Sequence, residues 1–199
     1  MSPQRARTSR SPASAKRPLA VALTGGIAAG KSEALAAFAR HGAATVSADA
    51  IVHRLLAEDS EVREAIRERW GDDAVGDRAR IGAIVFADPA ELEWLERLLH
   101  PRVRREQRAW LERVTEPVAV VEIPLLYETG GESRFDAVVV ITAPQSVREA
   151  RRGGLAARES RLLPDEEKVR RADFSYVNDG SLEELDRFVA GVVERLTSS

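Results

Sequence analysis

Residues Gly25–Ser32 read Gly-Gly-Ile-Ala-Ala-Gly-Lys-Ser, the G-x-x-x-x-G-K-[ST] spacing of a loop that cradles phosphate. Glycine lets such a loop curl so that successive backbone N–H groups point inward at anionic oxygens. A helix that starts at the loop adds the positive end of its dipole. Lys31 can then reach the β- and γ-phosphates, and the Ser32 hydroxyl can ligand Mg²⁺. The nucleotide-binding candidates are accordingly Gly26, Ile27, Ala28, Ala29, Gly30, Lys31, Ser32 and the adjoining Glu33. The bland alternative is an ordinary glycine-rich turn between a strand and a helix. Strand, loop, Lys-Ser pair and helix all agree against it. Lysine occurs only at 16, 31 and 168, and one of the three takes the phosphate-reaching position.

A phosphate loop binds a donor, so the acceptor must be read from other residues. Asp49 ends the run Val46-Ser-Ala-Asp49, just past an apolar stretch. A carboxylate at that edge of a parallel sheet can take a proton from an acceptor hydroxyl, or orient it. Position alone suits equally well an N-cap for a helix over 50–56. His100-Pro-Arg-Val-Arg104 closes a helical pattern. There Arg104 can capture an anion while His100 shapes the turn; the alternative is a helix break at Pro101 with solvated arginines. Glu122-Ile-Pro-Leu-Leu-Tyr-Glu128 runs from a strand into a loop. Glu122 suits a Walker-B-like place near Mg²⁺ through water, and Glu128 can orient the acceptor. Finally, the segment 145–168 holds Arg148, Arg151, Arg152, Arg158, Arg161 and Lys168. Most of these read as a solvated, charge-laced helix. In a phosphate-loop enzyme, arginines at this place also form a lid that stabilises transferring charge and excludes water.

Five segments read as buried strands that would position these groups: 19–23, 43–46, 118–123, 137–141 and 174–177. The third and fourth are short, β-branched and almost unbroken in their apolar character, as in a parallel sheet covered on both faces. About seventy residues of helical periodicity separate the second from the third, too many for a simple crossover. A helical insertion over about 50–115, a candidate substrate-binding region, is therefore expected. Trp70, Trp94, Trp110, Leu95, Leu98 and Leu99 fill its core in this reading. A final amphipathic helix is expected over 182–196, capped by Ser181 with Glu183 and Glu184 in its first turn.

The chain has 199 residues, 44% hydrophobic, with a net charge of −2 and no cysteine. That length suffices for one α/β domain with its own core. Disulfide and thiolate chemistry are excluded. No apolar run is long enough to cross a bilayer. Residues 1–17 are basic and rich in Ser, Pro and Ala, without the apolar middle of a signal peptide, and read as a disordered tail. Residues 18–199 form the folded domain, which is net acidic. This argues against a nucleic-acid partner. A cytoplasmic monomer acting on a small molecule is the expectation.

Taken together, these residues resemble the dephospho-CoA kinase family over nearly all of 19–188. The family's Thr-Gly-Gly-Ile-x-x-Gly-Lys-Ser stands here as Thr24–Ser32, and its Asp-Ala-Asp as Ser47-Ala48-Asp49. Its His-Pro-x-x-Arg is His100–Arg104, and its Pro-Leu-Leu-Phe-Glu is Pro124–Glu128. Lys168, Ala172-Asp173 and Asn178-Asp-Gly-Ser181 follow in the family's order. The resemblance implies a P-loop NTPase-type α/β fold: a three-layer α/β/α architecture with a five-stranded parallel sheet, a helical insertion and a lid over about 145–168. It implies transfer of the ATP γ-phosphate, with Mg²⁺ at Ser32, to the ribose 3′-hydroxyl of dephospho-CoA, giving CoA and ADP. It makes Asp49 the catalytic base and Lys31 and Arg152 its catalytic partners. Arg148 and Arg158 join the nucleotide set as lid arginines. The substrate set is Asp49, His100, Arg104, Pro124, Leu125 and Glu128, with Arg104 holding the substrate's pyrophosphate or ribose region. The chain departs from the pattern in three places. Glu33 replaces a Thr, Ser47 replaces the first Asp, and the lid is several residues short with Leu162 in place of a Gln.

A kinase for another alcohol, a nucleoside or a shikimate-like molecule, would share the loop but has no reason to carry both His100–Arg104 and Pro124–Glu128. A small GTPase needs Asn-Lys-x-Asp to read guanine, and none of the three lysines lies in one.

Overall fold

The computed structural model describes residues 17–152 and 162–198. Five strands form one parallel sheet: β1 (Leu19–Gly25), β2 (Ala44–Ser47), β3 (Val118–Glu122), β4 (Ala137–Thr142) and β5 (Phe174–Val177). Their order is β2-β3-β1-β4-β5. The chain turns to one side of β1 after that strand and to the other after β3. That reversal creates the crevice at the strand C-termini where open α/β sheets take ligands. Register makes it concrete: Leu23 and Ser47 both lie opposite Glu122, and Gly25 lies opposite Ile141. Three candidate groups are thus carried to one edge by backbone pairing alone.

Alternation along the strands divides the core. Val21, Leu23, Val120, Val139 and Ile141 face α1 (Lys31–Arg40) and the C-terminal helix. Ala22, Val121, Val138 and Val140 face the helices inserted between β2 and β3. Strands β1, β3 and β4 are buried on both faces, as their apolar runs predict. The outer strands correct the expectation of five buried ones: β2 is only half-buried, and β5 alternates, with Val177 54% exposed. Each is an edge strand, paired on one side only, and its side chains are covered less completely than those of the central strands.

The insertion comprises α2 (Ala48–Glu58), α3 (Ser60–Trp70), α4 (Arg78–Ala87) and α5 (Pro89–Leu111). Asp59, Asp77 and Asp88 cap α3, α4 and α5, each accepting a backbone N–H, and Pro89 starts α5 where its missing donor costs nothing. Leu95 and Leu99 are buried, while Trp70, Trp94, Trp110 and Leu98 pack partly buried against the same cluster. Trp70 meets Trp94 edge-on at 4.9 Å and donates its indole N–H to Glu91 at 2.8 Å. The helix does not break at Pro101; α5 runs through it to Leu111. Proline removes one backbone hydrogen bond, but Leu95, Leu99, Val103 and Gln107 form a buried stripe at four-residue spacing on both sides of it. Burial of that stripe outweighs the missing bond.

After β4 come α6 (Gln145–Arg151), α7 (Asp165–Arg170) and α8 (Leu182–Thr197). Helix α8 opens with a capping box: Glu184 N donates to Ser181 Oγ and Ser181 N to Glu184 Oε2. Arg17, the last residue of the basic segment, holds Asp136 through both terminal nitrogens, at 2.8 and 2.7 Å. The rest of that segment lies outside the described residues. No helix among the described residues is long and apolar enough to cross a membrane.

Candidate active site

The phosphate loop is fixed by contacts that admit no side chain at two places. Gly25 has φ +145°, and a Cβ there would lie 1.8 Å from the Ile141 carbonyl oxygen. Gly30 has φ +101°, and its Cβ would meet Asn178 Nδ2 at 2.2 Å. Ala28 adopts φ +58°, a left-handed conformation that alanine disfavours and that the surrounding loop must impose. Asn178, buried past the end of β5, does much of the imposing: its Nδ2 donates to Ala29 O at 2.8 Å and its backbone N to Thr142 O at 2.7 Å. Lys31 folds over the loop, donating Nζ to Gly26 O at 2.8 Å and Gly25 O at 3.2 Å. Burial lowers its pKa below the ordinary lysine value; Lys168 adds to that shift, while Glu122, Asp49 and Asp165 oppose it.

Asp49 is the second residue of α2, and Ser47 holds the N-cap position. The N-cap alternative for Asp49 is thereby removed. Ser47 does not cap with its side chain either. Burial holds Glu122 above the ordinary carboxylate range, with Lys31 and Ser47 opposing and Asp49 adding to the shift. A cavity over the loop is lined by Ile27, Ala28, Gly30, Lys31, Ser32, Asp49, Glu122, Pro124, Arg151 and Arg152. Ala29, behind it, is fully buried, and Glu33 points out on the exposed side of α1.

The basic segment after β4 contributes unevenly. Arg152 lines the loop cavity. Arg148 donates Nε to Ala143 O at 3.0 Å and, with Gly26 and Asp165, lines a neighbouring cavity. Arg158 lies outside the described residues. Arg151, which no motif singles out from the arginine run, reaches the loop itself, donating to Ala28 O at 3.3 Å and Asn178 O at 3.5 Å. Its only signal in the sequence was membership of the arginine run.

A second cavity opens beside the first. His100, Arg104, Pro124, Leu125 and Asp49 line it, together with Ala48, Val52, Val103, Gln107, Ile123, Thr129 and Arg134. Asp49 and Pro124 belong to both cavities, so the phosphate loop and this concavity share a wall. Helix α5 brings His100 and Arg104 to the wall together because they lie four residues, about one turn, apart, each directly after a buried residue, Leu99 and Val103. Glu128 is not brought there. It turns the other way, 3.1 Å from the fully buried Lys168 Nζ, and accepts the Leu163 backbone N–H at 2.9 Å. It ties the loop after β3 to the stem preceding α7. Arg134, in the loop before β4, also lines this cavity although no sequence motif contains it. Partial burial, and then the neighbouring Arg104, push its pKa below the usual guanidinium value.

The cavity at the phosphate loop thus lies wall-to-wall with a second one that bears a carboxylate and two guanidinium groups, giving room for two molecules side by side. The family model described as dephospho-CoA kinase (CoaE) matches residues 19–184. A dephospho-CoA kinase of Thermus thermophilus is 37% identical over 194 residues, covering 92% of this chain and 94% of its own length. A solved structure from Thermus thermophilus superposes with a TM-score of 0.77 at 34% identity, over 91% of this chain and 99% of that one. The dephospho-CoA kinase of Campylobacter jejuni does so with a TM-score of 0.66 at 26% identity, over 92% and 100%.

Proposed function

The chain belongs to the dephospho-CoA kinase family, and from that premise we propose that it transfers the γ-phosphate of ATP to the ribose 3′-hydroxyl of dephospho-CoA, yielding CoA and ADP, the last step of coenzyme A biosynthesis. One arrangement carries the reading: Asp49 lines both the phosphate-loop cavity and the adjoining one. A hydroxyl bound on the second side meets, at that carboxylate, a γ-phosphate bound on the first.

In this mechanism Asp49 accepts the hydroxyl proton as the ribose oxygen attacks the γ-phosphorus. The bond from that phosphorus to the β-bridging oxygen breaks, and ADP keeps its electron pair. Lys31 leaves the loop carbonyls it holds and takes up charge on the β- and γ-oxygens, while Arg152, and Arg151 beside it, cover the transferring group. Arg148 and Arg158 complete the nucleotide side. His100, Arg104, Pro124 and Leu125 seat the acceptor. The wall formed by the Ser32 hydroxyl and the Glu122 carboxylate is a set of hard oxygen donors that fits Mg²⁺. Bound there, Mg²⁺ would be held by Ser32 and Glu122 and would supply neutralisation of phosphate charge. The enzyme is assigned to the cytoplasm and acts as a monomer in this account.

Purified protein with ATP and Mg²⁺ should release ADP when offered dephospho-CoA and remain near background with shikimate or nucleosides offered in parallel. Turnover with one of those and none with dephospho-CoA would sink the assignment.

A further inference from the structure

Beyond the acceptor cavity lies a third concavity, of about 320 Å³, walled in part by Leu111 and Phe135. Arg104, Gln107 and Arg134 line both of these cavities. The three concavities therefore form one track: the phosphate loop, then Asp49 and Pro124, then the acceptor cavity, then two arginines and a glutamine, then the outer space.

Arg104 comes from α5 and Arg134 from the loop before β4. Neither is paired with a carboxylate among the described residues, whereas Arg40, Arg54, Arg69 and Arg102 each are. Two guanidinium groups brought together in a concavity repel one another, and an anion between them converts that cost into attraction. Arg134 is also aimed. Its Nε donates to Gly131 O at 3.2 Å, its guanidinium lies 5.7 Å over the Phe135 ring, and its two terminal nitrogens have no hydrogen-bond partner among the described residues. Space for it exists because residue 131 lacks a side chain; a Cβ there would lie 2.5 Å from Arg134 Nη2. Gln107, only 5% exposed, lines both cavities with the two arginines and adds a polar side chain there.

We infer that Arg134 and Arg104 together grip the diphosphate of the acceptor, with Gln107 alongside, and that the outer cavity receives the acyclic tail esterified to that diphosphate. The inference rests on the dephospho-CoA reading and adds to it the residue that recognises the middle of the molecule. The order along the track matches the chemistry of such an ester, with the ribose hydroxyl at Asp49, the diphosphate at the arginines and the tail, amide-bearing and partly apolar, beyond them.

Steady-state kinetics on Arg134→Ala test this. Losing charge-assisted hydrogen bonds to a diphosphate should raise KM for dephospho-CoA by roughly tenfold to a hundredfold. KM for ATP and kcat at saturating acceptor should stay within about twofold. Arg134→Lys, which keeps the charge but not the fork, should recover part of the loss. Gly131→Ala is a second route: φ there is an ordinary −89°, so the backbone accepts alanine while the new Cβ displaces the Arg134 guanidinium. It should raise the same KM by a smaller factor. An unchanged KM for dephospho-CoA in Arg134→Ala overturns the subsite, as does an equal rise in the KM for ATP. Wild-type protein that fails to turn over dephospho-CoA at all contradicts the functional reading instead, and the subsite with it.

Discussion

The phosphate loop and the acceptor cavity meet at Asp49 yet are made of different material. The loop is backbone, pinned from behind by Asn178 and from the side by Ile141, and its two tight glycines leave no room for variation. Its charged group, Lys31, is already satisfied by the carbonyls of Gly25 and Gly26. The acceptor cavity is side chain: Asp49, His100, Arg104, Pro124 and Arg134 come from four separate stretches of chain, and its two arginines have no carboxylate partner among the described residues. A donor shared by many enzymes is served by rigid local geometry. In the proposed function the acceptor meets long side chains whose places depend on the whole fold.

Substitutions on the two sides should therefore fail differently. Lys31→Ala, on the donor side, should abolish γ-phosphoryl transfer in the ADP-release assay; measurable turnover would mean the loop is not catalytic. Asp49→Asn, on the shared wall, should lower kcat by about 10²–10⁴, the range for a lost general base, while ATP binding by calorimetry is kept. A near-normal kcat would reduce Asp49 to a first-turn dipole partner of α2. Glu128→Ala sharpens the contrast from outside both cavities. It strands the fully buried Lys168 without its carboxylate, at a cost of about 3–5 kcal/mol. Thermal unfolding should register this as a drop in midpoint of roughly 10 °C, and a midpoint unchanged would show that the pair is no anchor.

The smallest effect is a pH dependence. Glu122 is held above the ordinary carboxylate range chiefly by burial. A carboxyl raised in this way favours the folded state at low pH, and that contribution is lost as pH rises through its raised folded value. Relative to wild type, Glu122→Gln should lose less stability, or gain some, between mildly acid and neutral pH. Unfolding midpoints that move in parallel for the two proteins across that interval would contradict the assignment.

How much of this was readable in the sequence follows the same division. The loop is contiguous and its meaning is local, so Gly25–Ser32 was legible residue by residue, as were β1, β3 and β4 from their unbroken apolar runs. The edge character of β2 and β5 was not, because the partner count of a strand is a property of the sheet. Passage of α5 through Pro101 was hidden for a similar reason: the buried stripe that sustains the helix is defined by neighbours distant in sequence. Asp49 was ambiguous until Ser47 took the N-cap position. Glu128 stood in the right motif but turns to Lys168. Arg134 stood in none, and only the fold sets it opposite Arg104.

The central claim is that Asp49 joins a phosphate donor on one side to the ribose hydroxyl of dephospho-CoA on the other. Phosphorus NMR of the reaction mixture tests it most directly. With wild-type protein, ATP and Mg²⁺, a new phosphomonoester on the acceptor's ribose 3′-oxygen should grow one-for-one with ADP, and Asp49→Asn should suppress both together. ADP accumulating without that phosphomonoester, or the phosphomonoester forming as fast without the Asp49 carboxylate, would contradict the account.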